Sequence, residues 1–107
     1  MGNIGRLTRR IKFEQLTTMP DEFGGNTEVY ITKSVVWGSR KQLSSSKAVA
    51  YGIDLMTKAF EYEFRKDAFS PTKLNRVDDE GVKMNIVSIE EVGDGKQYLR
   101  ITAKEKE

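Results

Sequence analysis

The side chains with the greatest chemical reach in this sequence are its carboxylates. Asp78, Asp79 and Glu80 stand in a row, and clustered carboxylates can hold Ca²⁺ or Mg²⁺. The ligand spacing of a calcium loop is absent, however, and Gly81 directly after them reads the cluster as a tight turn. Glu90, Glu91 and Asp94 would form an acid/base set only from one face of a pocket, whereas adjacent strand residues point to opposite faces. Two glycine-bearing stretches, Gly24-Gly25-Asn26 and Gly93 to Lys96, lack the spacing and strand-to-helix context in which backbone amides cradle phosphate; both read as hairpin turns. The chain has no Cys and no His, which excludes thiolate and Ser-His-Asp nucleophiles, disulfides, and the commonest zinc and iron sites. The expectation is a protein that is not an enzyme, with no catalytic residue, cofactor or metal.

Binding chemistry has more candidates. Arg6, Arg9, Arg10 and Lys12 crowd the start of the chain, and with Arg40, Lys41 and Lys47 they could line one side of a small barrel, as in single-strand nucleic-acid binders of the OB type. Strand-face charges are usually just solvated, and 18 basic against 16 acidic residues leave a net charge of only +2, so no global polyanion binder is indicated. Phe60, Tyr62 and Phe64 could stack on bases, but three aromatics of one parity flanked by charges are better read as the core face of a strand.

The elements that position these groups are strands. At 107 residues, 37% hydrophobic and 32% charged, the chain makes one domain (1–107) that buries about two thirds of its unfolded surface. Its apolar runs are too short for a membrane span, and no secretory signal is evident, so a soluble, unprocessed chain is expected. Leu7 to Gln15 alternates, with Leu7, Ile11 and Phe13 on one side and Arg10, Lys12 and Glu14 on the other. Leu16 to Thr27 holds Pro20, Asp21, Gly24, Gly25 and Asn26 and predicts a wide hairpin loop with Phe23 at its tip. Glu28 to Arg40 predicts a long strand in which Val29, Ile31, Val35 and Trp37 share a parity that Lys33 interrupts, and Gly38 suggests a bulge or bend.

Gln42 to Thr57 fits both a helical face (Val49, Ile53, Met56) and alternation (Val49, Tyr51, Ile53, Leu55). It predicts a flexible loop with at most a short helix after Ser44, Ser45 and Ser46. The stretch around Phe60 to Arg65 is a strand, followed by a short strand at Leu74 to Val77, a turn at Asp78 to Gly81, and a strand from Val82 to about Val92. A parity change between Ile86 and Val87 predicts a bulge in that strand. A turn at Gly93 to Lys96 leads to a last strand, Tyr98 to Ala103, and a solvated charged tail. The fold class is all-β and mainly antiparallel: a small β-barrel or sandwich of about five or six strands with long loops and at most one short helix.

In this order the motifs resemble those of the phage head-tail joining proteins, also called head-closure or stopper proteins of tailed bacteriophages, over most of the chain. Gly5, Leu7, Arg10, Ile11 and Phe13 match the family's opening strand, and Asp21, Gly24 and Gly25 its first hairpin. Trp37 ends the second strand, "FEYEFRK" reaches Arg65, and Arg76, Val77, Gly81, Met84 and Ile86 match the later strand pair. Met84 stands where an aromatic residue is usual, Gly38 where alanine is common and Lys66 where an aromatic is frequent; these touch packing more than topology.

The resemblance implies a non-enzymatic virion protein of the phage neck, assembled in the host bacterial cytoplasm. It would form a ring of about 6 or 12 copies between portal or adaptor proteins and the tail, closing the DNA-filled head and offering the surface to which tail proteins attach. A tail-completion role is the alternative, and an OB-like nucleic-acid binder a more distant one. On this reading Pro20, Asp21, Glu22, Phe23, Gly24 and Gly25 contact the adaptor or a neighbouring copy. Ser44, Ser45, Ser46, Lys47, Tyr51, Gly52 and Asp54 lie toward the channel as a gating loop. Arg6, Arg9, Arg10, Arg40, Lys41 and Lys47 form a basic surface for acidic partners or for non-specific contact with genomic double-stranded DNA.

Overall fold

The computed structural model of the chain describes residues 9–106. Leu7 and Arg6, assigned above to the first strand and the basic surface, lie outside the described residues.

The strands are β1 (Arg9–Pro20), β2 (Asn26–Gln42), β3 (Ala59–Arg65), β4 (Asn75–Asp79), β5 (Val82–Val92) and β6 (Tyr98–Glu105), with one helix, α1 (Ser45–Ala50), and a 3₁₀ turn at Asp94–Lys96. They form one antiparallel sheet that closes on itself as a barrel in the order β1-β2-β3-β6-β5-β4. The interior is filled by the alternate residues of each strand, among them Ile11, Phe13, Val36, Tyr62, Phe64, Val77, Met84, Leu99 and Ile101, as expected for a barrel too narrow to hold a channel. Phe13 is the hub of an aromatic cluster, its ring 5.3 Å from Phe64 and 4.9 Å from Phe69. Among the described residues no helix is long and apolar enough to cross a membrane.

The first two strands run far past the barrel. Leu16 to Pro20 are not loop, as the turn-rich composition suggested, but continue β1, and Asn26 already opens β2; the turn is only Asp21 to Gly25. Pairing alone explains this, because each of these residues has a cross-strand partner, from Leu16 opposite Tyr30 to Pro20 opposite Asn26. Asp21 closes the end by accepting the N–H groups of Phe23 (2.9 Å) and Gly25 (2.8 Å) on Oδ1, a side-chain turn typical of Asp. β1 pairs with β4 only from Lys12 to Gln15, and β2 with β3 only from Gly38 to Gln42. The rest is a two-stranded arm that reaches about 17 Å beyond the barrel at roughly 3.3 Å per residue.

The parity of β2 also departs from the sequence reading. A bulge at Lys33 shifts register between Phe13 opposite Ser34 and Glu14 opposite Thr32, so the inward residues of the barrel portion are Val36 and Gly38, while Val35 and Trp37 face out. Gly38 is neither bulge nor bend. It sits in unbroken pairing between Arg9 and Phe64, and a Cβ there would lie 2.5 Å from the Glu63 carbonyl oxygen and 2.5 Å from Ile11 Cδ1; the barrel wall closes over it. The predicted bulge in β5 is present: register shifts between Ile86 and Ser88.

That bulge serves the segment between β2 and β3. Val87 turns to the outer wall and packs with Leu43, Ala48, Ile53 and Ala59 in a second small core. The segment is therefore folded against the barrel, with the Ser44 hydroxyl capping α1 by accepting the Lys47 N–H at 3.3 Å. Ala48 and Ile53 face in, whereas Val49 and Met56, assigned to the buried face by helical spacing, are exposed. At the other hairpin, β4 continues through Asp79, and only Glu80 (φ 53°) and Gly81 (φ 92°) form the turn, the pair of left-handed residues that a two-residue hairpin requires. The charged tail is partly strand, since β6 runs to Glu105 and the Lys106 N–H donates to the Lys83 carbonyl at 3.0 Å.

Candidate functional site

The end of the barrel opposite the arm gathers most of the charged groups singled out above. Asp79 follows the inward parity of β4, so it is carried to the barrel mouth and is only 4% exposed. Its Oδ1 accepts Arg9 Nη2 at 2.8 Å and Nε at 3.2 Å; its Oδ2 accepts Arg40 Nη1 at 2.9 Å and the Tyr62 hydroxyl at 2.7 Å. One carboxylate thus joins β1, β2, β3 and β4. Burial pushes Tyr62 upward, and its hydrogen bond to Asp79 adds to that shift. Burial would also raise the Asp79 carboxyl, but hydrogen bonds from Tyr62, Arg9 and Arg40 outweigh it and hold the group below its ordinary range.

Each of the two groups is locked in its resting protonation state, the reverse of an acid or base poised near neutral pH. The assembly is a clamp, and the row of Asp78, Asp79 and Glu80 is divided: Asp79 points in, Asp78 accepts Lys83 Nζ outside at 2.6 Å, and Glu80 is in the turn. The Lys83 hydrogen bond draws Asp78 down, and the same contact raises Lys83.

Two further carboxylates are buried on the outer wall. Glu14 accepts Arg76 Nε at 2.8 Å and Lys83 Nζ at 3.3 Å, and the Arg76 guanidinium lies 3.3 Å from the centroid of the Tyr30 ring at the base of the arm. Glu61 lies under the α1 segment and accepts Lys47 Nζ at 3.0 Å, with Arg100 Nε at 3.8 Å. Alternation alone puts Glu14 and Glu61 on the outward faces of their strands, where solvent contact is the ordinary expectation. Each stands instead where another element crosses the barrel wall, which a strand pattern does not register.

The basic residues do not form one free surface. Arg9 and Arg40 are held by Asp79, and Lys47 by Glu61. Arg10 lies over Trp37 at 5.8 Å on the outer face; among the described residues neither Arg10 nor Lys41 has a carboxylate partner. Phe23 is 93% exposed at the arm tip, beside Glu22 and the turn built by Asp21 and Gly25, with Pro20 and Gly24 flanking. Of the segment assigned to the channel, Ser45 to Lys47 belong to α1, Tyr51 and Gly52 follow it, and Asp54 accepts the Met56 N–H at 2.8 Å. The Tyr51 hydroxyl accepts from Ser88 Oγ at 3.4 Å, tying this segment to β5.

Between the α1 segment and the barrel mouth are two hollows. One, of 320 Å³, is lined by Gln42, Leu43, Leu55, Lys58 and Phe60 among others; the second, of 280 Å³, lies over the Asp79 clamp and shares Lys58 and Phe60 with the first.

No curated protein sequence matches the chain. Among solved structures it is similar to the solution structure of protein SF1141 from Shigella flexneri 2a, at 26% identity and a TM-score of 0.69, over 97% of this chain and 96% of that one. It also shares its fold with a chain from the virion of a native gene transfer agent particle, at 19% identity and a TM-score of 0.62, over 94% and 96% of the two chains. A family model described as phage head completion protein matches residues 2–106.

Proposed function

The chain belongs to the phage head completion protein family, and from that premise we propose that it is a non-catalytic structural protein of the virion neck. Copies form a ring between the portal or adaptor and the tail, close the DNA-filled head and offer the tail its attachment surface. The observation that carries this reading is the family match across residues 2–106.

The architecture suits the task. A closed barrel cross-linked by Asp79 is a stiff body, and contacts then come from what is mounted on it. The arm tip, Pro20 to Gly25, is the contact we assign to the adaptor or a neighbouring copy, with Phe23 as the apolar anchor in a charged setting typical of interface hot spots. The α1 segment is the element we assign to the channel side. Its small core is shared with Ala59 of β3 and Val87 of β5, so any opening would have to break that packing together with the Lys47–Glu61 ion pair. Among the described residues, Arg10 and Lys41 are the members of the basic set left for acidic partners or sliding DNA, which calls for phosphate contacts without base reading.

Cryo-electron microscopy of filled tailless heads and of tailed particles tests the proposal. Density for this chain below the portal on tailless heads is the expected result. Its presence only on isolated, completed tails would replace head closure by tail completion, and its absence from all particles would overturn a neck role.

A further inference from the structure

The two ends of the molecule are chemically unlike. Between Leu16 and Val35 the arm carries Asp21, Glu22 and Glu28 against Lys33 alone, so three acids and one base leave it at −2; the whole chain is +2, and the remainder of the sequence carries +4. At the tip an exposed phenyl ring stands next to Glu22. At the far end, the hollow under the α1 segment mixes apolar side chains, Leu43, Leu55 and Phe60 among them, with polar ones. Its charged members are Lys58 on the rim and Asp54, whose Oδ1 already accepts the Met56 N–H at 2.8 Å, and Lys58 also borders the adjoining hollow, where Arg9 and Arg40 are held by Asp79. Leu55 is 62% exposed there. The volume of 320 Å³ exceeds the roughly 150 Å³ that suffices for a benzene ring.

These two surfaces cannot meet within one chain. The arm leaves the barrel where Gln15 pairs with Asn75. The hollow is at the opposite mouth, where Gln42 pairs with Phe60 and Ala59 with Lys104, and the molecule is 54 Å long. Resting on the ring proposed above, we infer that the acidic arm of one copy docks head to tail on the next, seating Phe23 in the hollow between Leu55 and Phe60 and setting Glu22 against Lys58. The contact is heterologous, using different surfaces on the two copies, the type of interface that generates a ring where the rotation between copies closes.

The absence of cysteine from the chain makes disulfide trapping clean. A Phe23→Cys chain is mixed with a Leu55→Cys chain, and separately with Leu74→Cys, an exposed position near the base of the arm. Both mixtures are oxidised in concentrated solution and on assembled particles. Docking predicts a 23–55 product in at least one setting and little 23–74 or 23–23 product. Sedimentation of the full chain then tests the charges. Glu22→Lys and Lys58→Glu should each weaken association about 10-fold at low salt, and the double variant should recover most of it; about 1 M salt should flatten the difference.

A 23–74 or 23–23 product in place of 23–55, no product in either setting, or a double variant no better than the singles overturns the docking. The neck reading fails separately. If the chain is found in the neck but 23–55 does not form, only the docking is wrong; if 23–55 forms in solution while particles lack the chain, the docking stands and the neck role falls.

Discussion

Replacing Asp79 with asparagine keeps the volume and one acceptor oxygen while removing the charge to which Arg9, Arg40 and Tyr62 all donate. A hydrogen bond to a charged group is worth about 1.5–3 kcal/mol. Arg9 and Arg40 are a quarter to a third exposed, so solvent recovers part of what they lose. The Tyr62 hydroxyl, fully buried, falls back on Met84 Sδ at 3.3 Å, a weak acceptor. The expected loss is about 2–3 kcal/mol, a large share of the roughly 5–15 kcal/mol typical of a domain. In thermal unfolding this is a drop of about 8–24 °C.

The pH dependence adds a sign. The folded carboxyl is held below its ordinary value, so its contribution is complete above about pH 4, the unfolded value, and is lost as pH falls through the folded one. Urea unfolding followed by circular dichroism should show a constant gap between wild type and Asp79→Asn from pH 7 to about pH 5 and a narrowing gap below about pH 4. A gap under about 0.5 kcal/mol at pH 7, or one that widens on acidification, would refute the clamp.

Other outcomes follow from single contacts. Gly38→Ala should destabilise by at least about 2 kcal/mol in urea unfolding, because the new methyl meets a backbone carbonyl that cannot rotate away. Phe23→Ala should leave stability within about 0.5 kcal/mol of wild type yet prevent joining of heads to tails in a complementation assay; normal joining would remove Phe23 from the interface. Ser44→Ala should cost about 1 kcal/mol, read as faster amide exchange confined to α1 and its packing partners, with the barrel strands unaffected.

How much of this was legible in the sequence depended on whether a residue's role was local. The alternation through Phe60, Tyr62 and Phe64, and through Leu99, Ile101 and Ala103, located β3 and β6 because each strand has one face on the core. The parity break at Val87 was visible for the same reason. Turn composition misled at Leu16 to Pro20, where Thr, Met and Pro sit in a strand held by its partner across the hairpin. The facing of β2 was misread although Lys33 breaks its apolar parity, since in a half-exposed ribbon an interrupting lysine reads as an ordinary solvent-facing residue and not as a bulge. Asp79 could not be recognised from its neighbours Asp78 and Glu80: its burial depends on Arg9, Arg40 and Tyr62, which lie far from it in sequence and arrive only when the sheet closes. The positions of Glu14 and Glu61 were hidden likewise, being set by the Arg76 and Lys47 side chains that cross over them.

The arm leaves two long strand edges without neighbours, Leu16 to Pro20 on β1 and Asn26 to Trp37 on β2. Exposed edges are templates for fibrous growth. The first edge terminates in Pro20, which has no N–H to offer, and the Lys33 bulge divides the second into stretches whose registers disagree. An incoming strand that zips along one stretch is out of step at the next, and it must also place itself beside a lysine. The bulge at Lys33 thus blunts this edge against strand addition, as bulges and charged residues do at exposed sheet edges.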